Sequence, residues 1–336
     1  MPTKIFLTGA TGYIGGEALY SISQAHPEIE FTLLVRSEEK AKAVRAEYPN
    51  AKFVFGDLDD AAVIQKAASE ADIVVHTADS SDHLPAAKAI SKGLSEGHTD
   101  EKPGYWIHIS GTSILQWYDW THDRYGQDPL PEQKYHDIDD IDRILTFPQQ
   151  AHHRAIDEVV QQANQVGGVR TLIICPPTIY GPGHGPVNKR SIQLYSMARQ
   201  LLEEGAAPVM AGPGTPEWDS VHVHDLGQLF VLAVEAALDE EKRKNPEIFG
   251  PHGYFFAENG VHSWRRDAEL LAEEAKKQGL LEEAKTKEGD YKNFGANSKG
   301  VAQRARKYLG WKPTGKSVEE EIPDIVAGEA KLVGKK

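Results

Sequence analysis

Eight residues, Thr8-Gly9-Ala10-Thr11-Gly12-Tyr13-Ile14-Gly15, carry the strongest chemical signal in the chain. They follow a short apolar run, Ile5–Thr8, and open a stretch of helical spacing, Ile14–Gln24. At a strand-to-helix junction Gly9 permits a tight turn, Gly12 lets backbone approach a pyrophosphate, and Gly15 lets the helix pack closely on the strand. The helix N-terminus then offers free N–H groups and partial positive charge to phosphate. The spacing is G-x-x-G-x-x-G, and the Gly-Lys-Ser/Thr ending of a nucleoside-triphosphate loop is absent. Arg36 closes the next apolar run, Leu33-Leu34-Val35, where such an architecture meets an adenosine ribose. A carboxylate there accepts from a 2′-hydroxyl, whereas an arginine pairs with a 2′-phosphate, so NADP(H) is expected over NAD(H). Asp57, in Gly56-Asp57-Leu58, falls where the adenine amino group would lie, and it is equally suited to starting a helix. His222 and His224 stand two apart on a strand-like run, and no further ligands stand at metal-site spacing, so no metal is expected.

These residues need a frame. Short apolar runs recur at Ile5–Thr8, Phe31–Val35, Phe53–Phe55, Ile73–His76, Trp106–Ile109 and Val169–Cys175. Helical segments separate them: Glu38–Ala46 behind a Ser37 cap, Ala61–Ser69, Leu84–Leu94 and Ala151–Gln165. Near-continuous apolar strands alternating with helices predict an α/β fold, a doubly wound parallel sheet of Rossmann type covered on both faces. The stretch Tyr118–Phe147, rich in Asp, Pro, Tyr and His, reads as a surface excursion. Beyond Pro176-Pro177 the pattern becomes irregular, which predicts a smaller C-terminal substrate lobe. A short strand at Val221–Val223 and a helix from about Asp225 to Leu238 return to the sheet domain. The expected division is 1–177 plus about 218–245 for the sheet domain, and 178–217 plus 246–336 for the lobe. Ser263 caps a helix to about Lys277, Ser317-Val318-Glu319-Glu320 is a capping box, and Lys276–Lys292 reads as a solvated helix face.

The 336 residues include 37 Lys and Arg against 50 Asp and Glu, a formal charge of −13. That balance disfavours a broad nucleic-acid surface. The single cysteine, Cys175, cannot close an intrachain disulfide, which fits a reducing compartment. No apolar run approaches the ~20 residues a membrane span needs. The opening residues lack the apolar core of a signal peptide, so a cytoplasmic location is expected.

Taken in order, the motifs resemble the extended short-chain dehydrogenase/reductase family. Thr8–Gly15 resembles its T-G-x-x-G-x-x-G fingerprint, and Asp57-Leu58 its adenine motif. His76-Thr77-Ala78 resembles the cofactor-lining segment after the fourth strand, and Ile109-Ser110-Gly111-Thr112-Ser113 the strand end that carries the catalytic serine. Cys175–Gly183 resembles the R-P-x-x-x-Y-G-P-G segment beside the nicotinamide. Val221–Leu226 and Leu309-Gly310-Trp311-Lys312-Pro313 resemble two later elements. The resemblance implies that Gly9, Thr11, Gly12, Tyr13, Ile14, Gly15, Arg36, Asp57, Leu58, Thr77, Ala78, Arg154, Pro177 and Ile179 bind the cofactor. It also implies a homodimer and a small-molecule substrate.

The family's Tyr-x-x-x-Lys pair, which moves the proton and holds the nicotinamide ribose, is missing. By the resemblance Gln150 stands at the tyrosine position and Arg154 at the lysine position. A glutamine cannot exchange a proton at neutral pH, and an arginine is too basic to relay one. Gln150, His153, Arg154 and Asp157 share one helix face, which makes His153 the best-placed replacement acid. Thr112 matches the catalytic serine, with Ser110 and Ser113 beside it. Ser113, Tyr180 and His184 are expected at the substrate, with Asn188, Lys189, Arg190, Trp218 and Trp264 as further lining. The expected activity is hydride transfer to or from a small carbonyl, imine or activated alkene. A non-catalytic NADP(H) sensor like the NmrA-type regulators, and a sugar-nucleotide epimerase or dehydratase, are the alternatives.

Overall fold

A computed structural model describes residues 2–335. The first five apolar runs form strands β1 (Lys4–Thr8), β2 (Glu30–Val35), β3 (Lys52–Phe55), β4 (Ile73–His76) and β5 (Gly104–Ile109). Four helices follow the first four strands: α1 (Tyr13–Ala25), α2 (Glu38–Glu47), α3 (Ala61–Ser69) and α4 (Leu84–Gly97). Val169–Cys175 adds a sixth strand and Tyr254–Phe256 a seventh. The spatial order is β3–β2–β1–β4–β5, then Val169–Cys175, then Tyr254–Phe256, with every pairing parallel. Chain direction reverses across the sheet between β1 and β4. In a doubly wound sheet that switch point opens a crevice at the carboxyl ends of the strands.

Register explains why the strands are apolar throughout. Phe6, Leu7, Val74, Val75 and Ile107 are fully buried, because helices cover both faces. The seventh strand was not legible as one. Only three residues long, it lies in a stretch expected in the lobe. Its Tyr254, Phe255 and Phe256 join the sheet core together with Ala302, Leu309 and Trp311. The lobe has a separate core built from Leu194–Leu202, Trp218, Trp264–Ala275 and Val318–Ala330. Ser263 caps the Trp264–Lys277 helix, and Ser317 forms the capping box of the Val318–Leu332 helix.

Two expectations need correction. Tyr118–Phe147 is not a surface excursion. Asp119 is fully buried and accepts from Gln133, Arg124 and both the backbone and side-chain N–H of Asn297. Within the same stretch Lys134–His136 pairs in parallel with Lys299–Val301. Asp119 and Asp137, which looked solvent-bound, are buried acceptors that tie this stretch to the rest of the fold. Lys276–Lys292 is also not one helix. The helix ends at Lys277, and Thr286–Gly289 is a strand paired with Ala207–Met210. Among the described residues, no helix is long and apolar enough to cross a membrane.

Candidate active site

The glycine turn is fixed by contacts at β1 and β4. Thr8 lies opposite His76, and its hydroxyl is 2.7 Å from His76 Nδ1. The backbone N–H groups of Thr77 and Ala78 donate to that same hydroxyl oxygen at 3.2 Å each, and Thr77 Oγ1 donates to the Thr8 carbonyl at 2.7 Å. This knot leaves no room for side chains. A Cβ on Gly9 would meet Thr77 Oγ1 at 2.5 Å, and one on Gly15 would meet the Gly9 carbonyl at 2.3 Å. Gly9 also holds a φ of +87°, which only glycine adopts at little cost. Gly12 differs: its nearest neighbour would be the Gly9 carbonyl at 3.2 Å, and its other side opens to the cleft. Gly12 precedes α1 with no side-chain cap and no acidic residue in the first turn, so the helix N-terminus is left to an anion.

A cleft of about 760 Å³ lies over this turn. Gly9, Thr11, Gly12, Tyr13, Ile14, Gly15, Arg36, Asp57, Leu58, Thr77, Ala78, Pro177 and Ile179 all line it. Lys40, Asp59, Asp79 and Ser191–Gln193 line it too and were missed, since nothing in their spacing ties them to the turn. Arg36 is exposed, and among the described residues neither it nor Lys40 forms an ion pair. Asp57 keeps a structural duty as well: its Oδ1 accepts from Asp59 N at 2.9 Å. A groove that carries a bare helix N-terminus, with cations that form no ion pair among the described residues, fits the phosphates of a dinucleotide.

Beyond Asp79 the loop continues to Asp82 and is pinned to β5 by Ser80 Oγ, which donates to the Ile109 carbonyl at 2.6 Å. The chain leaving β5 forms a single 3₁₀ turn, Thr112–Gln116, held by Thr112 N donating to Pro176 O at 3.0 Å. Between these segments sits His153. Its Nε2 is 2.5 Å from Ser113 Oγ, and its Nδ1 is 3.0 Å from Asp82 Oδ1 and 3.2 Å from the Ser81 carbonyl. A carbonyl only accepts, so Nδ1 carries hydrogen and Nε2 is the nitrogen that exchanges protons with the serine side. His153 adopts a φ of +64°, outside the usual range for a side-chain-bearing residue, at the start of the Arg154–Ala163 helix. Such backbone costs about 1–3 kcal/mol and persists where surrounding contacts over-determine it.

Burial opposes the charged imidazolium, but the hydrogen bond and charge of Asp82, the charge of Asp157 and the Ser81 carbonyl outweigh it, so His153 titrates above its ordinary value. The same hydrogen bond from His153 holds Asp82 below the usual carboxylate range. Burial, and then the charge of His153, lower His152, which lies beside Trp120 with their rings 3.9 Å apart. Deeper in, Asp157 is fully buried. Burial lifts its carboxyl to about 6, although Tyr254 OH donates to its Oδ2 at 2.8 Å.

Several expected residues lie elsewhere. Thr112 is buried and its Oγ1 is 2.9 Å from Ser298 Oγ, so Ser113 faces His153 instead. Arg154 is also buried, bonded to Phe147 O at 3.1 Å and Gln161 Oε1 at 3.0 Å, and does not reach the cleft. Gln150 is exposed in the preceding turn, outside the cleft. The helix starts only at Arg154, so the assumed continuous face through Gln150 does not exist. Tyr180 is in the lobe core, with its OH donating to Lys316 O at 2.6 Å. His184 pairs with buried Glu17 at 3.0 Å and stacks on Tyr20 and His224. Trp218 and Trp264 pack on each other in the lobe core, and Arg190 is paired with Glu329. Of the further lining residues, Asn188 reaches the cleft. The His222 and His224 rings meet at 4.5 Å across the junction where the strand ends at His222 and a helix starts at Val223. Glu17, His184 and His224 bring ligand atoms within 4.8 Å. The His184 and His224 rings are stacked at 4.0 Å and 21°, however, so their in-plane lone pairs run side by side rather than converge.

Comparison with known proteins agrees with this geometry. A family described as NAD(P)H-binding matches residues 9–100, and the NAD dependent epimerase/dehydratase family matches residues 125–248. The chain is 34% identical over 355 residues to "Oxidase ucsJ" of Acremonium sp, covering 99% of both chains. Among solved structures, UDP-glucose 4-epimerase of Thermotoga maritima superposes with a TM-score of 0.67 at 15% identity, covering 98% of this chain and 100% of that one. A dTDP-glucose 4,6-dehydratase of Streptomyces venezuelae with NAD bound gives 0.67 at 17%, covering 97% and 96%. At these identities the two structures speak to the fold. With the full-length match to the oxidase and the cleft built on the glycine turn, they establish that the chain belongs to the NAD(P)-binding extended short-chain dehydrogenase/reductase family; between β5 and Val169–Cys175 its sequence holds no Tyr-x-x-x-Lys spacing.

Proposed function

We propose that the protein is an NADP(H)-dependent oxidoreductase acting on a small organic carbonyl, imine or activated alkene, with His153 as its acid–base group. The observation that carries this reading is the chain Asp82–His153–Ser113. Asp82 and the Ser81 carbonyl fix the ring, so Nε2 presents one exchangeable proton beside Ser113 Oγ. Ser113 orients the substrate oxygen or nitrogen, and His153 delivers or removes its proton. When bound, the nicotinamide supplies or accepts the hydride. Arg36 and Lys40 hold the 2′-phosphate, the α1 N-terminus holds the pyrophosphate, and Thr77, Ala78, Pro177 and Ile179 wall the groove. The sugar-nucleotide reading is less well supported. A diphosphate needs free cations in the lobe, and Arg190 and Arg199 are both already paired with Glu329.

The decisive test is His153→Gln, assayed for NADPH consumption against a panel of carbonyls and enones and for cofactor binding by titration. Turnover falls on the order of 10²- to 10⁴-fold while NADPH affinity stays unchanged. Full turnover in the variant overturns the assignment. Arg36→Ala tests the cofactor. It weakens NADPH by about 1.5–3 kcal/mol, the worth of a charge-assisted contact, and leaves NADH nearly untouched. Equal losses for both cofactors reject the 2′-phosphate role.

A further inference from the structure

Ser113, His153 and Asp82 stand in the order and spacing of a nucleophilic triad: hydroxyl to Nε2 at 2.5 Å, Nδ1 to carboxylate at 3.0 Å. In hydride transfer Ser113 would only orient substrate beside His153. Nucleophilic catalysis uses the same contact differently, because the histidine must take the hydroxyl proton as the bond to carbon forms. The chain order here is Asp82, Ser113, His153, and the three groups come from the loop after β4, the 3₁₀ turn after β5 and the start of the Arg154–Ala163 helix. Such a constellation is recognised by geometry and roles rather than by sequence position.

We infer that Ser113 is an acylatable nucleophile, giving the protein an esterase-type activity toward small activated carboxylic esters that needs no nicotinamide. Ser113 Oγ attacks the ester carbonyl carbon and its proton passes to His153 Nε2. The C–O bond to the leaving group then breaks, and the departing alkoxide takes that proton from His153. This leaves an acyl ester on Ser113. Water attacks it, loses its proton to the same nitrogen, and releases the carboxylic acid, while Ser113 regains its hydrogen. No oxidant or reductant is involved.

Access agrees with this. Ser113 is partly exposed, and Asp82 is 61% exposed at the outer end of the triad. The edge-on Trp120–His152 pair stands next along the chain, so an aryl ester suits the site. Acyl transfer is expected to be slow. A built oxyanion hole is worth roughly 10²–10³ in rate per donor, and the side-chain contacts here provide the nucleophile and its base rather than that hole. Covalent capture is therefore the sharper readout.

The inference shares Ser113 and His153 with the proposed oxidoreductase but does not depend on hydride transfer, so the experiment omits nicotinamide. The full-length protein is treated with a fluorophosphonate probe, and in parallel with p-nitrophenyl acetate, then analysed by intact mass and peptide mapping. One adduct per chain on Ser113 is expected. It is absent in Ser113→Ala and forms on the order of 10²-fold more slowly in His153→Gln. Retained NADPH binding shows that each variant is folded. If Ser113→Ala fails to fold, Ser113→Cys preserves the side-chain size. Its thiol should alkylate with iodoacetamide faster than the same thiol in a Ser113→Cys, His153→Gln double variant. No adduct, an adduct that survives Ser113→Ala, or labelling indifferent to His153 overturns the inference.

Discussion

The molecule builds the sequence hydroxyl–imidazole–carboxylate twice. In the lobe, Thr178 Oγ1 lies 2.9 Å from His262 Nε2, and His262 Nδ1 lies 2.5 Å from Asp267 Oδ2. On the loop after β4, the turn after β5 and the start of the Arg154–Ala163 helix, Asp82, Ser113 and His153 repeat the arrangement. The donors and acceptors match, and the settings do not. Thr178 is fully buried, and His262 and Asp267 side chains are 4% and 3% exposed. The lobe triplet spans the three-stranded sheet of Thr178–Tyr180, Glu217–His222 and Val261–Ser263, with the His262 ring edge-on to Trp264. It ties strands together, with all three side chains almost wholly buried. The Ser113 triplet leaves its carboxylate in solvent, and its histidine sits in strained backbone. A hydrogen-bond pattern alone thus says little about reactivity, whereas exposure and strain separate a cross-link from a site.

Exchanging the two histidines in turn breaks this contrast most directly. His153→Gln abolishes most turnover and leaves thermal stability near wild type. His262→Gln does the reverse: the fraction that folds turns over normally, and unfolding in denaturant loses about 1–3 kcal/mol, the cost of leaving buried partners unpaired. If His262→Gln lowers turnover without lowering stability, the lobe triplet is not merely a cross-link. A smaller effect comes from the hydroxyls. Thr178→Val keeps the shape but leaves His262 Nε2 unsatisfied, costing about 1–2 kcal/mol, while Ser113→Ala costs less than that because its site is partly solvated. Chemical denaturation of the two variants side by side ranks them.

The smallest effect is in pH. Asp82 raises His153, so the acid form that serves reduction persists above the ordinary histidine value. Asp82→Asn removes that support, and the alkaline fall-off of reductive kcat moves to lower pH. An unmoved profile rejects Asp82 as the partner that sets it. The matching stability terms have opposite signs. The His153 contribution is complete below the unfolded histidine pKa and fades as pH rises through the raised folded value. The Asp82 contribution is complete above the unfolded carboxylate pKa and fades as pH falls through the lowered value. With Asp82 mostly in solvent, the pair is worth less than about 1 kcal/mol to folding.

Local chemistry was legible in the sequence, and convergence was not. Thr8–Gly15 could be read because strand, turn and helix N-terminus are consecutive, so spacing alone fixes their geometry. The same holds for the Ser37, Ser263 and Ser317 caps. Asp82 went unnoticed because it meets His153 from 71 residues away. The choice between Thr112 and Ser113 was set by Ser298, 186 residues downstream, which occupies the threonine hydroxyl. Tyr254–Phe256 is too short to show periodicity and becomes a strand only because Val169–Cys175 offers it an edge. His153 was singled out on the assumption of a helix face shared with Gln150; the contacts that make it reactive come from loops on either side.

The close approach of Gly16 to Gly185 bears on how ligands exchange. A Cβ on Gly185 would sit 2.6 Å from the Gly16 Cα, and His184 beside it is bonded through both its backbone and its ring to buried Glu17. Lobe and sheet domain are therefore riveted together beneath the glycine turn, where rotation would tear a buried carboxylate from its donors. Across the cleft wall the Ser191 hydroxyl donates to the Ile179 carbonyl, and Arg190 is bonded to buried Glu329. The molecule is therefore a trough whose two walls are tied at their base, and a long ligand is expected to enter through its open face rather than by a swing of the whole lobe.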